Sequence, residues 1–250
     1  MHSIKNLLYN IADDLLIMGH RHSEWTGLGP ILEEDISFSS LAQDKIGLAY
    51  QIYKILNETE KEDLPDRIAF LRNESQYRCC QFVELPNGEY DFSLIRHFLF
   101  DHAMDLRFRM FGKSNYQPLS FLSRKTAGEM KYHILHADIW IKQLGNNNEI
   151  SHVRMQKAIE VAFPYSLGMF ETFPFEKELI ELGIYQGEQE IKISWLEKIS
   201  MILKEANFNL PDPEKIKPVF GGRTGNHTGF LKPLLEEMNE VYSSDPETEW

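Results

Sequence analysis

Long stretches of 3.6-residue apolar periodicity, separated by compact clusters of Pro, Gly and Asn, dominate this sequence, and two-residue alternation is almost absent. The clusters are Thr26-Gly-Leu-Gly-Pro30, Leu85-Pro-Asn-Gly88, Gly145-Asn-Asn-Asn148, Asn209-Leu-Pro-Asp-Pro213 and Gly221-Gly-Arg-Thr-Gly225. Between them the pattern predicts helices over 4–24, 33–58, 91–112, 117–144, 149–172, 189–207 and 229–243, with shorter helical pieces near 66–80 and 176–183. Pro164 is expected to kink or break the fifth helix. The fold class is therefore all-α. Four helices are long and the turns between them are short enough for antiparallel packing, which points to a helical bundle. Residues 1–208 are read as that bundle. Residues 209–250 form a C-terminal arm, a last helix and an acidic tail belonging to the same domain.

The chain has 250 residues, of which 42% are hydrophobic and 26% charged, enough apolar material for a sizeable core and too much for a mainly disordered chain. Lys and Arg number 26 against 38 Asp and Glu, a net charge of −12. Such a surface repels phosphate backbones and anionic lipid, so neither a nucleic-acid nor a membrane partner is expected. No apolar run approaches the roughly 20 residues that span a bilayer. Asp13 and Asp14 fall where a signal peptide would carry its apolar stretch, so the expected location is cytoplasmic. The two cysteines, Cys79 and Cys80, are neighbours, a poor geometry for an internal disulfide. They read as small buried side chains on a helix rather than as soft-metal ligands.

Placing each helix on a wheel at 100° per residue shows which polar residues face inward. In 33–58 the stripe is Phe38, Leu41, Ala42, Leu48, Ala49, Ile52 and Leu56, with Lys45 in its middle. In 91–112 it is Leu94, Phe98, Met104 and Phe108, with Asp101 and Asp105 inside it. In 117–144 it is Leu119, Leu122, Thr126, Met130, His133, Ala137, Trp140 and Leu144, flanked by Glu129 and His136. An unpaired buried charge costs several kcal/mol. Lys, Asp and His on three stripes therefore raise the prospect of one shared polar cluster. The bland alternatives are a satisfied core histidine, aspartates that cap or pair locally, and a Lys45 that snorkels to water.

Inward carboxylates and histidines in a bundle first suggest a di-iron or di-manganese site, which takes a Glu from each of two helices and Glu-x-x-His from each of the other two. One Glu-x-x-His occurs, Glu149-Ile-Ser-His152, at a helix start where a solvated first turn is the simpler reading. The mid-bundle candidate, Glu129-Met-Lys-Tyr-His133, has the wrong spacing. The architecture suggests the site and the residues lack it.

Several motifs together resemble a known family: Arg21-His-Ser-Glu-Trp25 with Gly27, the Leu85-Pro-Asn-Gly88 turn, Glu129-Met-Lys-Tyr-His133 leading to Leu144-Gly-Asn146, and Gly221-Gly-Arg-Thr-Gly-Asn-His-Thr228 with a terminal Trp250. Over essentially its whole length the chain resembles the C subunits of bacterial ring-epoxidising phenylacetyl-CoA monooxygenases, the phenylacetyl-CoA epoxidases. The resemblance implies a ferritin-like fold and a place in a multicomponent oxygenase. There the di-iron centre belongs to a paralogous A subunit, and the C subunit is a degenerate copy that pairs with and supports it. A separate reductase with flavin and an iron–sulfur cluster delivers electrons from NADPH. This chain itself is then non-catalytic and carries no cofactor.

The resemblance also carries the paralogue's ligand positions onto this chain. Glu24, in its His22-Ser-Glu24 context, is kept, although the wheel does not place it on the main stripe of its helix. After Gln43-Asp44 the Glu has become Lys45 and the His has become Leu48. Asp101 keeps the third-helix carboxylate. In the fourth helix the Glu has become Met130, while His133 remains. With at most three of six ligands left, two irons are not expected. Lys45 is then expected to replace the metals' charge in a polar knot with Asp101, His133 and Glu24.

The glycine-rich run before the last helix lacks the Gly-Lys-Ser/Thr ending of a P-loop, so it reads as an arm docking on the partner protein, with Arg223, His227 and Trp250 as partner contacts. Glu33-Glu-Asp35 and Asp13-Asp14 read as solvated charges near helix ends. A homo-oligomer is expected when the chain is isolated. The rival reading is a metal-binding oxidase in its own right, which needs Glu129 in place of Met130. A stand-alone binding bundle is a third.

Overall fold

A computed structural model of the chain describes residues 2–245. Among these residues there are helices and turns and no strand. The protein is all-α, the class expected of a ferritin-like bundle. No helix is long and apolar enough to cross a membrane among the described residues.

The α-helices are α1 (His2–Ser23), α2 (Leu32–Glu60), α3 (Pro65–Phe70), α4 (Gln81–Glu84), α5 (Tyr90–Phe111), α6 (Gln117–Lys125), α7 (Ala127–Gly145), α8 (Glu149–Leu167), α9 (Glu176–Glu181), α10 (Glu188–Glu205) and α11 (Leu231–Asn239). They divide between two compact units. The first contains residues 1–86, 173–175 and 221–250, and the second residues 87–172 and 176–220.

In the first unit α1 and α2 pack against each other. Their approach is close at Gly19, where a Cβ would stand 2.7 Å from Ile46 Cγ1 and 3.2 Å from the Ala42 carbonyl. The expected stripe of α2 is buried throughout, Lys45 included. α1 is buried over nearly all of residues 3–18. A helix with so little solvated face has no room for a free charge, and this corrects the reading of Asp13 and Asp14. Both sit mid-helix and buried, each held by an arginine. Glu34 is buried as well, and Asp35 closes the α1–α2 turn by accepting from the Gly27 and Gly29 N–H groups at 2.7 and 3.3 Å.

In the second unit α5 packs against α7, α8 and α10. It has no single apolar stripe. Ser93–Met104 are all buried, so the helix is covered on every side and its polar residues must find partners within the protein. His102 faces Asp138 at 2.8 Å, and Arg107 donates to Glu188 at 2.5 Å and to the Met169 carbonyl at 2.7 Å. Asp105 pairs along its own helix with Arg109 (2.7 Å).

The helix expected over 117–144 is two helices, parted at Thr126, whose hydroxyl turns back onto the Leu122 carbonyl (3.2 Å). α8 runs through Pro164 to Leu167. The carbonyl deprived by this proline belongs to Glu160, on an exposed face where water can satisfy it. Glu149 and His152 lie in the first turn of α8, under an Asn148 cap, and His152 stacks on Phe208 at 4.9 Å.

Candidate functional site

The six positions the resemblance singles out fall in both units. In the first, Glu24 lies just past the end of α1, and its carboxylate accepts from Arg21 Nη1 at 2.6 Å with a third of its side chain (34%) exposed. The second guanidinium nitrogen of Arg21 donates to the Glu84 carbonyl at 2.7 Å, which fixes the pair. Lys45 is 0% exposed, so its ammonium does not snorkel to water. Leu48, one turn on, is buried too. At these positions α2 therefore offers a cation and an alkyl group, neither of which can ligate a metal.

In the second unit Asp101 stands between two imidazoles. His97, one turn before it on α5, has Nδ1 at 2.5 Å from Asp101 Oδ2, and His133 on α7 has Nδ1 at 3.4 Å from Oδ1. The far nitrogen of His97 meets His136 Nδ1 at 3.2 Å, extending the chain of polar groups to Asp101–His97–His136. All four residues are buried. Met130 is buried one turn before His133, whereas Glu129 is exposed. The helix is thus in the register that points methionine inward, against the shift the oxidase reading requires. The cluster offers one carboxylate with imidazoles around it, too few oxygen donors for two bridged metals. His97 was missed by the wheel, though its i, i+4 spacing to Asp101 is a readable signal.

The arm from Gly221 to Thr228 docks on its own chain, within the first unit. Arg223 grips Asp14 of α1 with both nitrogens, at 2.8 and 2.7 Å, and donates also to the Asn10 and Arg78 carbonyls at 3.1 and 2.8 Å. The Cys80 N–H donates to the same Asp14 at 2.7 Å. Gly222 comes so close that a Cβ there would meet the Cys79 carbonyl at 2.0 Å. His227 Nδ1 lies 2.7 Å from Glu84 Oε1, while Thr228 donates to Oε2 through its N–H and hydroxyl, both at 2.7 Å. Beside them Asp13 accepts from Arg72 at 2.6 and 3.0 Å, from Tyr53 at 2.6 Å and from the Arg78 N–H at 2.7 Å. Burial, with Asp13 close by, pushes the Tyr53 phenol well above its ordinary range.

These contacts correct the expectation that Arg223 and His227 anchor a partner. Their side chains are 2% and 3% exposed, and Arg223 Nη1 and Nη2 and both ring nitrogens of His227 face acceptors of this chain. Trp250 lies outside the described residues. The cysteines are buried as expected, yet they precede α4 in an extended segment rather than lying on a helix. Burial and the neighbouring carboxylates, Glu84 beside Cys79 and Asp14 beside Cys80, push both thiols well above their usual range. Such thiols are poor nucleophiles.

The family model described as phenylacetic acid catabolic protein matches residues 2–250. The chain belongs to that family. A curated relative, the C subunit of the 1,2-phenylacetyl-CoA epoxidase from Escherichia coli (strain K12), is 27% identical over 250 residues, covering 100% of both chains. Members of the phenylacetic acid catabolic family are thus matched along the whole of this chain, both units and the docked arm included.

Proposed function

We propose that this chain is the non-catalytic, structural subunit of a phenylacetyl-CoA epoxidase in aerobic phenylacetate degradation, pairing in the cytoplasm with a catalytic di-iron A subunit. The observation that carries the reading is on α2, where Lys45 and Leu48 are buried at the positions that the resemblance matches to a di-iron paralogue's carboxylate and imidazole. A buried ammonium repels a second cation, and Met130 removes one more oxygen donor. The residues present do not fit two irons. Its Asp101 cluster is read as a vestige in which imidazoles keep a carboxylate buried.

An assembled role is supported by apolar side chains left facing solvent. Tyr132, Leu135 and Ile139 recur along one face of α7, and Leu28, Ile31, Leu32 and Ile36 follow one another at the α1–α2 turn. Exposed apolar groups in such runs mark surfaces that other proteins cover. Isolated chains are expected to cover them by self-association.

The test has two arms. The chain is incubated anaerobically with excess Fe(II), desalted and assayed for iron; fewer than two irons per chain is expected, and two per chain would overturn the reading. The chain is then co-expressed with an A-type epoxidase subunit. Stable co-purification is expected, and separate elution of two well-folded proteins would overturn the pairing.

A further inference from the structure

We propose that Cys79, Glu84 and His227 form a binding site for one divalent transition-metal cation of zinc-like character. Their donor atoms lie within 4.8 Å of one another, the only such group of three among the described residues. Glu84 Oε1 is 2.7 Å from His227 Nδ1 and 3.8 Å from Cys79 Sγ, and Sγ is 4.0 Å from Nδ1. Around a tetrahedral zinc, sulfur, nitrogen and oxygen donors stand about 3.4–3.6 Å apart. The sulfur therefore has to move in by a few tenths of an ångström, and the carboxylate and ring have to part by about 0.7 Å, the contraction that their hydrogen bond imposes.

The surroundings are those of a metal site. A ligating histidine donates its other ring N–H to a carbonyl or carboxylate, which fixes ring orientation. Here Nε2 of His227 faces the Tyr77 carbonyl at 3.1 Å. A ligating carboxylate is held by hydrogen bonds on its free oxygen, and Thr228 supplies two to Glu84 Oε2. Each of these two ligands is thus positioned through an atom that would not touch the cation. Three protein ligands leave a fourth tetrahedral position for solvent.

Charge favours exchange. Without metal, the two nitrogens of His227 face Glu84 Oε1 and the Tyr77 carbonyl. Ligation takes Sγ as thiolate and Nδ1 without a proton, so protons leave as M²⁺ enters, and thiolate, carboxylate and neutral imidazole surround the cation. Thiolate and carboxylate together cancel the charge of M²⁺, so the loaded group carries no net charge. Thiolate with imidazole selects zinc or cobalt over magnesium or calcium. Entry requires only that the arm lift locally, since Asn226 and Gly229 on either side of the His227–Thr228 pair are less buried than the ligands they flank.

The test is titration of the metal-free full-length protein with Co²⁺ under anaerobic conditions, read by absorbance. A thiolate-to-cobalt charge-transfer band in the near ultraviolet, saturating at one equivalent, is expected. Cys79→Ser should abolish that band, Cys80→Ser should leave it intact, and His227→Gln should weaken affinity at least about tenfold. Cobalt bound at the imidazole–carboxylate cluster of α5 and α7 would give no sulfur band, so the two places are told apart. The absence of a sulfur band in the unaltered protein would overturn the proposal, and so would a band that survives Cys79→Ser. In either case the three residues are a hydrogen-bonded clasp and nothing more. The first of these outcomes needs no variant, so it stands even if a substitution prevents folding.

Discussion

Asp14 in the first unit and Asp101 in the second are equally buried aspartates on long helices, yet they are partnered in different ways. Asp14 is gripped by a guanidinium from a residue 209 positions away, and a backbone N–H completes its shell. Asp101 has imidazoles on either side, one from its own helix and one from α7. A guanidinium is charged at every accessible pH and bonds carboxylates in a fixed fork, so the Asp14 pair acts as a permanent fastener. An imidazole has no such fork and meets a carboxylate through one nitrogen, so Asp101 is held by single contacts from two helices. The first arrangement holds a distant segment of chain against α1. The second links α5 to α7 inside the core.

The largest effect that would sharpen this contrast is expected from Arg223→Ala. It strands Asp14 in the core and frees the arm, and should cost about 3–5 kcal/mol in chemical denaturation. A loss below about 1 kcal/mol would show that the pair is not the fastener. Next comes Lys45→Ala, which removes a fully buried cation together with its packing. A loss above about 2 kcal/mol is expected in the same assay, and a neutral result would remove Lys45 from any charge-balancing role. Asp101→Asn keeps the shape and removes the charge the histidines face. It should cost about 1–3 kcal/mol in the same assay. A loss below about 0.5 kcal/mol would show that the cluster does not depend on the charge of Asp101.

The smallest effect at neutral pH is expected at His20. Burial lowers its pKa from 6.5 to about 4. Above pH 6.5 both folded and unfolded chains carry it neutral. Between 6.5 and 4 the unfolded chain takes up a proton that the folded one refuses, so stability falls as pH falls through that window. The slope cannot exceed one proton, about 1.4 kcal/mol per pH unit. His20→Gln should flatten the curve over that window and leave stability at about pH 7.5 nearly unchanged; a curve that keeps its slope would assign the titration to another group.

Much of this was legible from local pattern. The helical periodicity placed α1, α2, α5, α8 and α10 within a few residues, because burying one face of a helix leaves a repeat that needs no knowledge of the partner. It also placed Lys45 inside the α2 stripe, where the structure buries it. The pattern faltered where the burial was of another kind. On α5 every face is covered, so no stripe distinguishes Asp101 from its neighbours, and the imidazole next to it came from outside the wheel's count.

Local sequence was enough for the helical class and for the placing of most turns. It also held the motifs that place the chain in its family. Folding was needed to make core residues of Asp13 and Asp14, to turn Arg223 and His227 inward, and to bring Cys79, Glu84 and His227 together. The difference is one of range. A helix is specified by side chains three and four positions apart, whereas an ion pair across 209 residues leaves no mark on either local segment. A charged side chain looks the same in sequence whether water or a buried counter-ion satisfies it, and only the folded chain determines which one does.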